Sequence, residues 1–212
     1  MTKLLVGLGN AVPGVTKNIE IIDLELATTT CNILPDFPMN LIGSIGGLGF
    51  EDKPIICGGS DETSSYINKC YSLNESEWMP SPNMLSVKTY AAVSVSPNLT
   101  SAHKLIVTGG LLSSTASTNT VEGLTPNGWE TLPPSLPANI YLHCSVLVNS
   151  TTLMVIGGIQ NDLLAFNTYF FNLDKKMWNV GPALKAARCQ QSCGRIKKDS
   201  TSPELSLIVA GG

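Results

Sequence analysis

Short apolar runs recur along the chain, each ending on glycine. Leu4-Leu5-Val6-Gly7-Leu8-Gly9 is followed by Pro54-Ile55-Ile56-Cys57-Gly58-Gly59 and Leu105-Ile106-Val107-Thr108-Gly109-Gly110. Leu153-Met154-Val155-Ile156-Gly157-Gly158 and Leu207-Ile208-Val209-Ala210-Gly211-Gly212 complete the series. The last glycines stand at positions 9, 59, 110, 158 and 212, in steps of 50, 51, 48 and 54 residues. An unbroken apolar run of this length reads as a strand covered on both faces. Glycine at its end lets another backbone come close and lets φ turn positive. Repetition at a fixed period predicts stacked copies of one unit.

A second landmark keeps phase with the first. Trp78 lies 19 residues after Gly59, Trp129 lies 19 after Gly110, and Trp178 lies 20 after Gly158. Each tryptophan is followed shortly by proline: Pro80, Pro133 and Pro182. In the first repeat Cys31 takes the tryptophan position and Pro35 matches Pro133. Tyr71 and Phe171 each stand seven residues before a tryptophan, where the third repeat has Glu122.

These landmarks resemble the kelch repeat family over essentially the whole chain. The resemblance implies an all-β fold, an incomplete kelch-type β-propeller of four-stranded antiparallel blades. With strands lettered a to d from the axis outward, the third repeat places them at 89–96, 104–108, 118–124 and 129–132. The chain, 1–212, is expected to form one partial propeller domain. Its blades fall at 3–38 (partial), 41–84, 87–137, 141–184 and 188–212 (partial). Kelch-like propellers commonly have six blades, so about four and a half imply a piece of a longer protein. Tryptophan suits packing between neighbouring blades, having a large apolar surface and a polar handle.

Composition agrees with many short strands and tight turns. The chain of 212 residues is 43% apolar and only 14% charged, with 19 glycines and 13 prolines, the reverse of a disordered balance. A formal charge of −3 offers no basic footprint for nucleic acid. The basic stretch at 195–198 reads as a solvated turn. No apolar run reaches the roughly 18 residues that would cross a bilayer, so no membrane span is expected.

Candidate chemistry is sparse. Some kelch-like propellers are copper oxidases, which need two histidines and tyrosines converging on one metal. The two histidines, His103 and His143, fall in an a–b turn and at the start of a strand a, in different blades. Cys189 and Cys193 lack the second half of a zinc site. No catalytic, metal or cofactor residue is assigned, and the chain is expected not to be an enzyme. The leading expectation is a non-catalytic module that binds a protein partner through b–c and d–a loops, since loops on a rigid scaffold carry binding. The alternatives are a fragment of a galactose-oxidase-like copper enzyme, with its ligands outside this chain, and the propeller of a ubiquitin-ligase substrate adaptor.

The b–c loops at 60–65, 111–117 and 159–165 are the candidate binding loops. Leu111, Leu112, Leu163 and Leu164 either meet the partner there or extend strands b and pack beneath the loops. Asn74, Asn98 and Asn149 head Asn-x-Ser/Thr sequons. About three would arise by chance, but all fall in a–b or c–d turns and so share one face, opposite the b–c loops. Cys57 in strand b and Cys70 in strand c are expected to face each other in a disulfide. The matching pairs are read as Thr108 with Val121 and Ile156 with Phe170. Cys144 and Cys193, in matching places of two strands a, form a candidate second pair. Disulfides imply an oxidising compartment, which points to an extracellular protein.

Overall fold

The computed structural model describes residues 3–11, 14–23, 32–96, 102–197 and 205–212. Cys31 and Asn98 lie outside the described residues. Three four-stranded antiparallel sheets follow one another, each with its strands adjacent in chain order. Sheet 2 contains Ile45–Leu48, Pro54–Cys57, Cys70–Asn74 and Glu77–Ser81. Sheet 3 contains Ala92–Val95, Leu105–Thr108, Val121–Thr125 and Gly128–Thr131. Sheet 4 contains Cys144–Leu147, Thr152–Ile156, Thr168–Asn172 and Met177–Val180. Sheet 1 pairs Lys3–Ala11, Gly14–Asp23 and Asn32–Leu34, and sheet 5 pairs Ser192–Lys197 with Leu205–Ala210. A 3-10 turn, Phe50–Asp52, is the only helical element among the described residues, so none is long enough to cross a membrane. The all-β expectation holds, as four-stranded antiparallel sheets.

Alternation along strand b explains why these runs are apolar throughout. In sheet 3, Leu105 and Val107 pack with Ile45, Ile55 and Met84 of sheet 2 and its following segment. Ile106 points the other way and packs with Leu147, Leu153 and Val155 of sheet 4. Ile56 likewise turns toward Ile19 and Phe37, while Ile55 and Cys57 turn toward sheet 3. The strands b of sheets 2 and 3 are therefore each shared between two cores. Each side chain so buried contributes roughly 1.5–3 kcal/mol.

Strands a of successive sheets run side by side in the same direction. The amide of Leu142 donates to the Tyr90 carbonyl (2.9 Å) at one end, and the hydroxyls of Ser94 and Ser145 meet at 2.9 Å toward the other. Strand a of sheet 3 is shorter than the expected 89–96. Thr89 leaves the sheet to pair with Leu111, and the Tyr90 amide donates to Gly43. Strand c likewise starts at Val121, not 118, because the Thr118 amide is bound to the Gly110 carbonyl.

Two registers correct the sequence reading. Ile156 pairs with Thr168, not Phe170. The c–d turn of sheet 4 is two residues longer than those of sheets 2 and 3, which breaks a count made backwards from the tryptophan. Trp178 therefore pairs with Phe171, whereas Trp78 pairs with Leu73 and Trp129 with Leu124. The residue that corresponds to Tyr71 and Glu122 is Tyr169, not Phe171. Cys144 and Cys193 are also not equivalent: Cys144 pairs with Ile156, next to the first glycine of its pair, and Cys193 with Val209, one residue further away.

Candidate binding surface

Strands b end on glycine pairs because the next sheet presses on them. Gly58, Gly109 and Gly157 have φ of 66°, 60° and 59°, and the glycines after them, Gly59, Gly110 and Gly158, have φ of 99°, 106° and 90°. A Cβ on Gly58 would collide with the Lys88 carbonyl, and one on Gly109 with the Ile140 carbonyl. Those same carbonyls are held by the second glycines: Gly59 donates to Lys88 (2.7 Å), Gly110 to Ile140 (2.8 Å) and Gly158 to Arg188 (2.8 Å). Two residues further on, a chain of hydrogen bonds passes from sheet to sheet. Tyr90 donates to Gly43 (2.8 Å), Leu142 to Tyr90 (2.9 Å) and Gln190 to Leu142 (2.8 Å). Gly43, Tyr90, Leu142 and Gln190 are all left-handed, with φ of 67°, 54°, 52° and 57°. Side chains pay strain in that conformation, so the surrounding structure fixes this rim firmly.

The b–c loops stand on the rim. Their bases are closed by bonds from Ile67, Thr118 and Ala165 to the carbonyls of Gly59, Gly110 and Gly158. In sheet 3 the loop is a hairpin of Leu111–Ser113 and Ala116–Ser117. In sheet 4, Ile159–Gln160 pairs with Leu163–Leu164 on one side and with Ile140–Tyr141 on the other. The four candidate leucines separate here. Leu111 and Leu112 are half-buried, whereas Leu163 and Leu164 are 73% and 58% exposed, and Phe166 beside them is 52% exposed. The outer strand of this hairpin and the residue two positions beyond it thus present three large apolar side chains to solvent.

Beneath the rim lies a buried polar cluster that the repeat pattern marked only as a missing aromatic. Glu122 occupies the place of Tyr71 and Tyr169, and its carboxylate lies 3.4 Å from the Lys88 ammonium, both side chains being buried. Lys88 also donates to Thr120 Oγ1 (2.6 Å) and the Gly109 carbonyl (3.3 Å), while Glu122 accepts from the Leu85 amide (2.9 Å) and Ser86 Oγ (2.6 Å). Burial pulls the Lys88 ammonium below its usual pKa, against the opposing pull of Glu122. His143 sits next to this cluster, its Nε2 bonded to Thr108 Oγ1 at 2.7 Å. Burial above all, then the Lys88 charge, lowers its pKa to about 3, so it is neutral at pH 7. The equivalent residue in sheet 5, Gln191, reaches the Ile156 carbonyl at 2.6 Å. Both side chains therefore tie strand a to the strand b before it.

The other histidine, His103, lies between strands a and b of sheet 3 as expected, and is half-buried there. His103 packs against Gly123 and meets Glu130 at 2.7 Å. Among the described residues, no three His, Cys, Asp or Glu side chains gather as metal ligands. Cys57 and Cys70 are directly paired, buried, and joined in a disulfide with Cα atoms 4.1 Å apart. Cys144 and Cys193 form a second disulfide, with Cα atoms 6.0 Å apart, that joins sheet 4 to sheet 5. The remaining described cysteine, Cys189, is free and half-buried. Asn74 and Asn149 are exposed at the opposite end of the sheets from Leu163 and Leu164.

No family model matches the chain, and no curated protein is similar to it. Among solved structures it is similar to YjhT, with a TM-score of 0.72 at 13% identity, covering 99% of this chain and 81% of that one. At that identity the likeness concerns the fold.

Proposed function

We propose that the sheets are blades of a kelch-type β-propeller whose function is to hold a protein partner on its b–c loop face, outside the cell and without catalysis. The observation that carries this reading is the exposure of Leu163 and Leu164, at 73% and 58%, on the outer strand of a hairpin whose inner strand, Ile159–Gln160, is paired on both sides. Apolar side chains presented to solvent on a hydrogen-bonded hairpin are suited to become the desolvated centre of an interface. The fitting partner is a protein surface with a complementary apolar pocket. Two disulfides support the extracellular setting.

The test starts with proteins from the extracellular fluid of the native source that are retained by the immobilised chain. The dissociation constant of the retained partner is then measured against wild type and the double variant Leu163→Asp/Leu164→Asp. The expected result is at least a tenfold loss of affinity, about 1.4 kcal/mol, with the melting temperature unchanged. Equal affinity would overturn the assignment of this face.

A further inference from the structure

We infer that Asn149 is an N-glycosylation site, and that Asn74 is a second on the same face; this is independent of the partner-binding reading. Asn149 is exposed in the turn between Cys144–Leu147 and Thr152–Ile156. Its Oδ1 accepts from the Thr151 amide (2.9 Å) and from Thr151 Oγ1 (3.2 Å). The carbonyl side of the carboxamide is thus held by its own sequon threonine. Nδ2, the atom that would carry sugar, makes no hydrogen bond to the protein among the described residues. Asn74 ends strand c of sheet 2, exposed, with Glu75 beyond it at φ 54° turning the chain sharply toward Ser76. Both asparagines lie at chain reversals where a bulky branched sugar displaces no packed side chain.

The two disulfides supply the second line of argument, because they form in the oxidising lumen where such transfer takes place. In the reaction, Nδ2 forms a bond to the anomeric carbon of a lipid-diphosphate-linked sugar and loses a proton. The bond from that carbon to the phosphate oxygen breaks, and the lipid diphosphate leaves with the electron pair. No oxidation or reduction is involved. The a–b and c–d turns of one face then become shielded by sugar, and the b–c loop face stays bare.

The test is site occupancy on the wild-type chain, both secreted from eukaryotic cells and isolated from its native source. Peptide N-glycosidase in heavy-oxygen water converts a glycosylated asparagine to a labelled aspartate, which mass spectrometry locates. Labelling at Asn149 in most molecules is expected. It should disappear in Thr151→Ala and persist in Thr151→Ser, which keeps the hydroxyl. Unlabelled Asn149 in chains whose two disulfides have formed would overturn the inference. Labelling at Asn149 without Asn74 would remove only the second site.

Discussion

Trp129 donates its indole N–H to the carbonyl of Pro82, 2.9 Å away and 47 residues earlier, just beyond the last strand of the sheet before its own. The same bond recurs from Trp78 to Pro35 and from Trp178 to Pro134, both at 3.0 Å. Each ring also packs into the core shared with the preceding sheet, Trp78 on Phe37 and Trp129 among the side chains of sheet 2. The tryptophan is therefore a latch between consecutive sheets. The proline carbonyl is a suitable acceptor because the segment leaving strand d has no ladder partner there.

Trp129→Ala should cost about 3–5 kcal/mol of unfolding free energy, since it empties a core site and orphans a carbonyl. Trp129→Phe keeps much of the ring and loses the N–H, and should cost less, about 1–2 kcal/mol. Denaturant titration measures both. A loss below about 1 kcal/mol for the alanine variant would refute the latch.

The disulfides should differ in their effect. Cys57 and Cys70 are 13 residues apart and Cys144 and Cys193 are 49 apart. The chain-entropy model gives about 3 kcal/mol for the shorter loop and about 4 kcal/mol for the longer. Double replacement by serine at each pair, followed by urea titration, should rank them in that order. Peptide mapping without reduction should recover both linkages.

The buried pair should behave as a coupled unit. Lys88→Met leaves the Glu122 carboxylate buried without its cation and should cost about 3–5 kcal/mol. Adding Glu122→Gln removes that charge while retaining an acceptor for Leu85 and Ser86. The double variant should be more stable than the sum of the two single losses predicts, by at least about 2 kcal/mol. Additive losses would show that the two groups do not interact.

His143 should give stability a distinctive pH dependence. Its folded pKa of about 3 lies below the ordinary 6.5, so the unfolded chain takes up the proton first as pH falls. The contribution is fully present above pH 6.5 and drains away toward pH 3, at about 1.4 kcal/mol per pH unit. From pH 7 to pH 5 the wild type should lose about 2 kcal/mol through this residue. His143→Gln, which retains a hydrogen-bonding group for Thr108, should lack that increment. Parallel pH curves for the two proteins would contradict the assignment.

The sequence alone determined the strands and their repetition. Runs such as Leu105-Ile106-Val107 require cover on two faces, and an unbroken apolar run states that requirement locally. The Cys57–Cys70 pairing was equally legible, because a b–c hairpin places its neighbours by counting. Counting fails where a turn changes length: seven residues before Trp178 it lands on Phe171, whereas the fold sets Tyr169 in the place of Tyr71. Nothing in the pattern marked the rim of Gly43, Tyr90, Leu142 and Gln190, since three of the four are ordinary residues held left-handed by bonds from other sheets. Glu122 read as a defect in the repeat until the fold brought Lys88 beside it. Leu111 and Leu163 looked alike in sequence, and only the packing of sheets decided which was half-covered and which stood in solvent. Strand character depends on the residues nearest in the chain, whereas exposure, ion pairing and backbone strain depend on which distant segment arrives next to them.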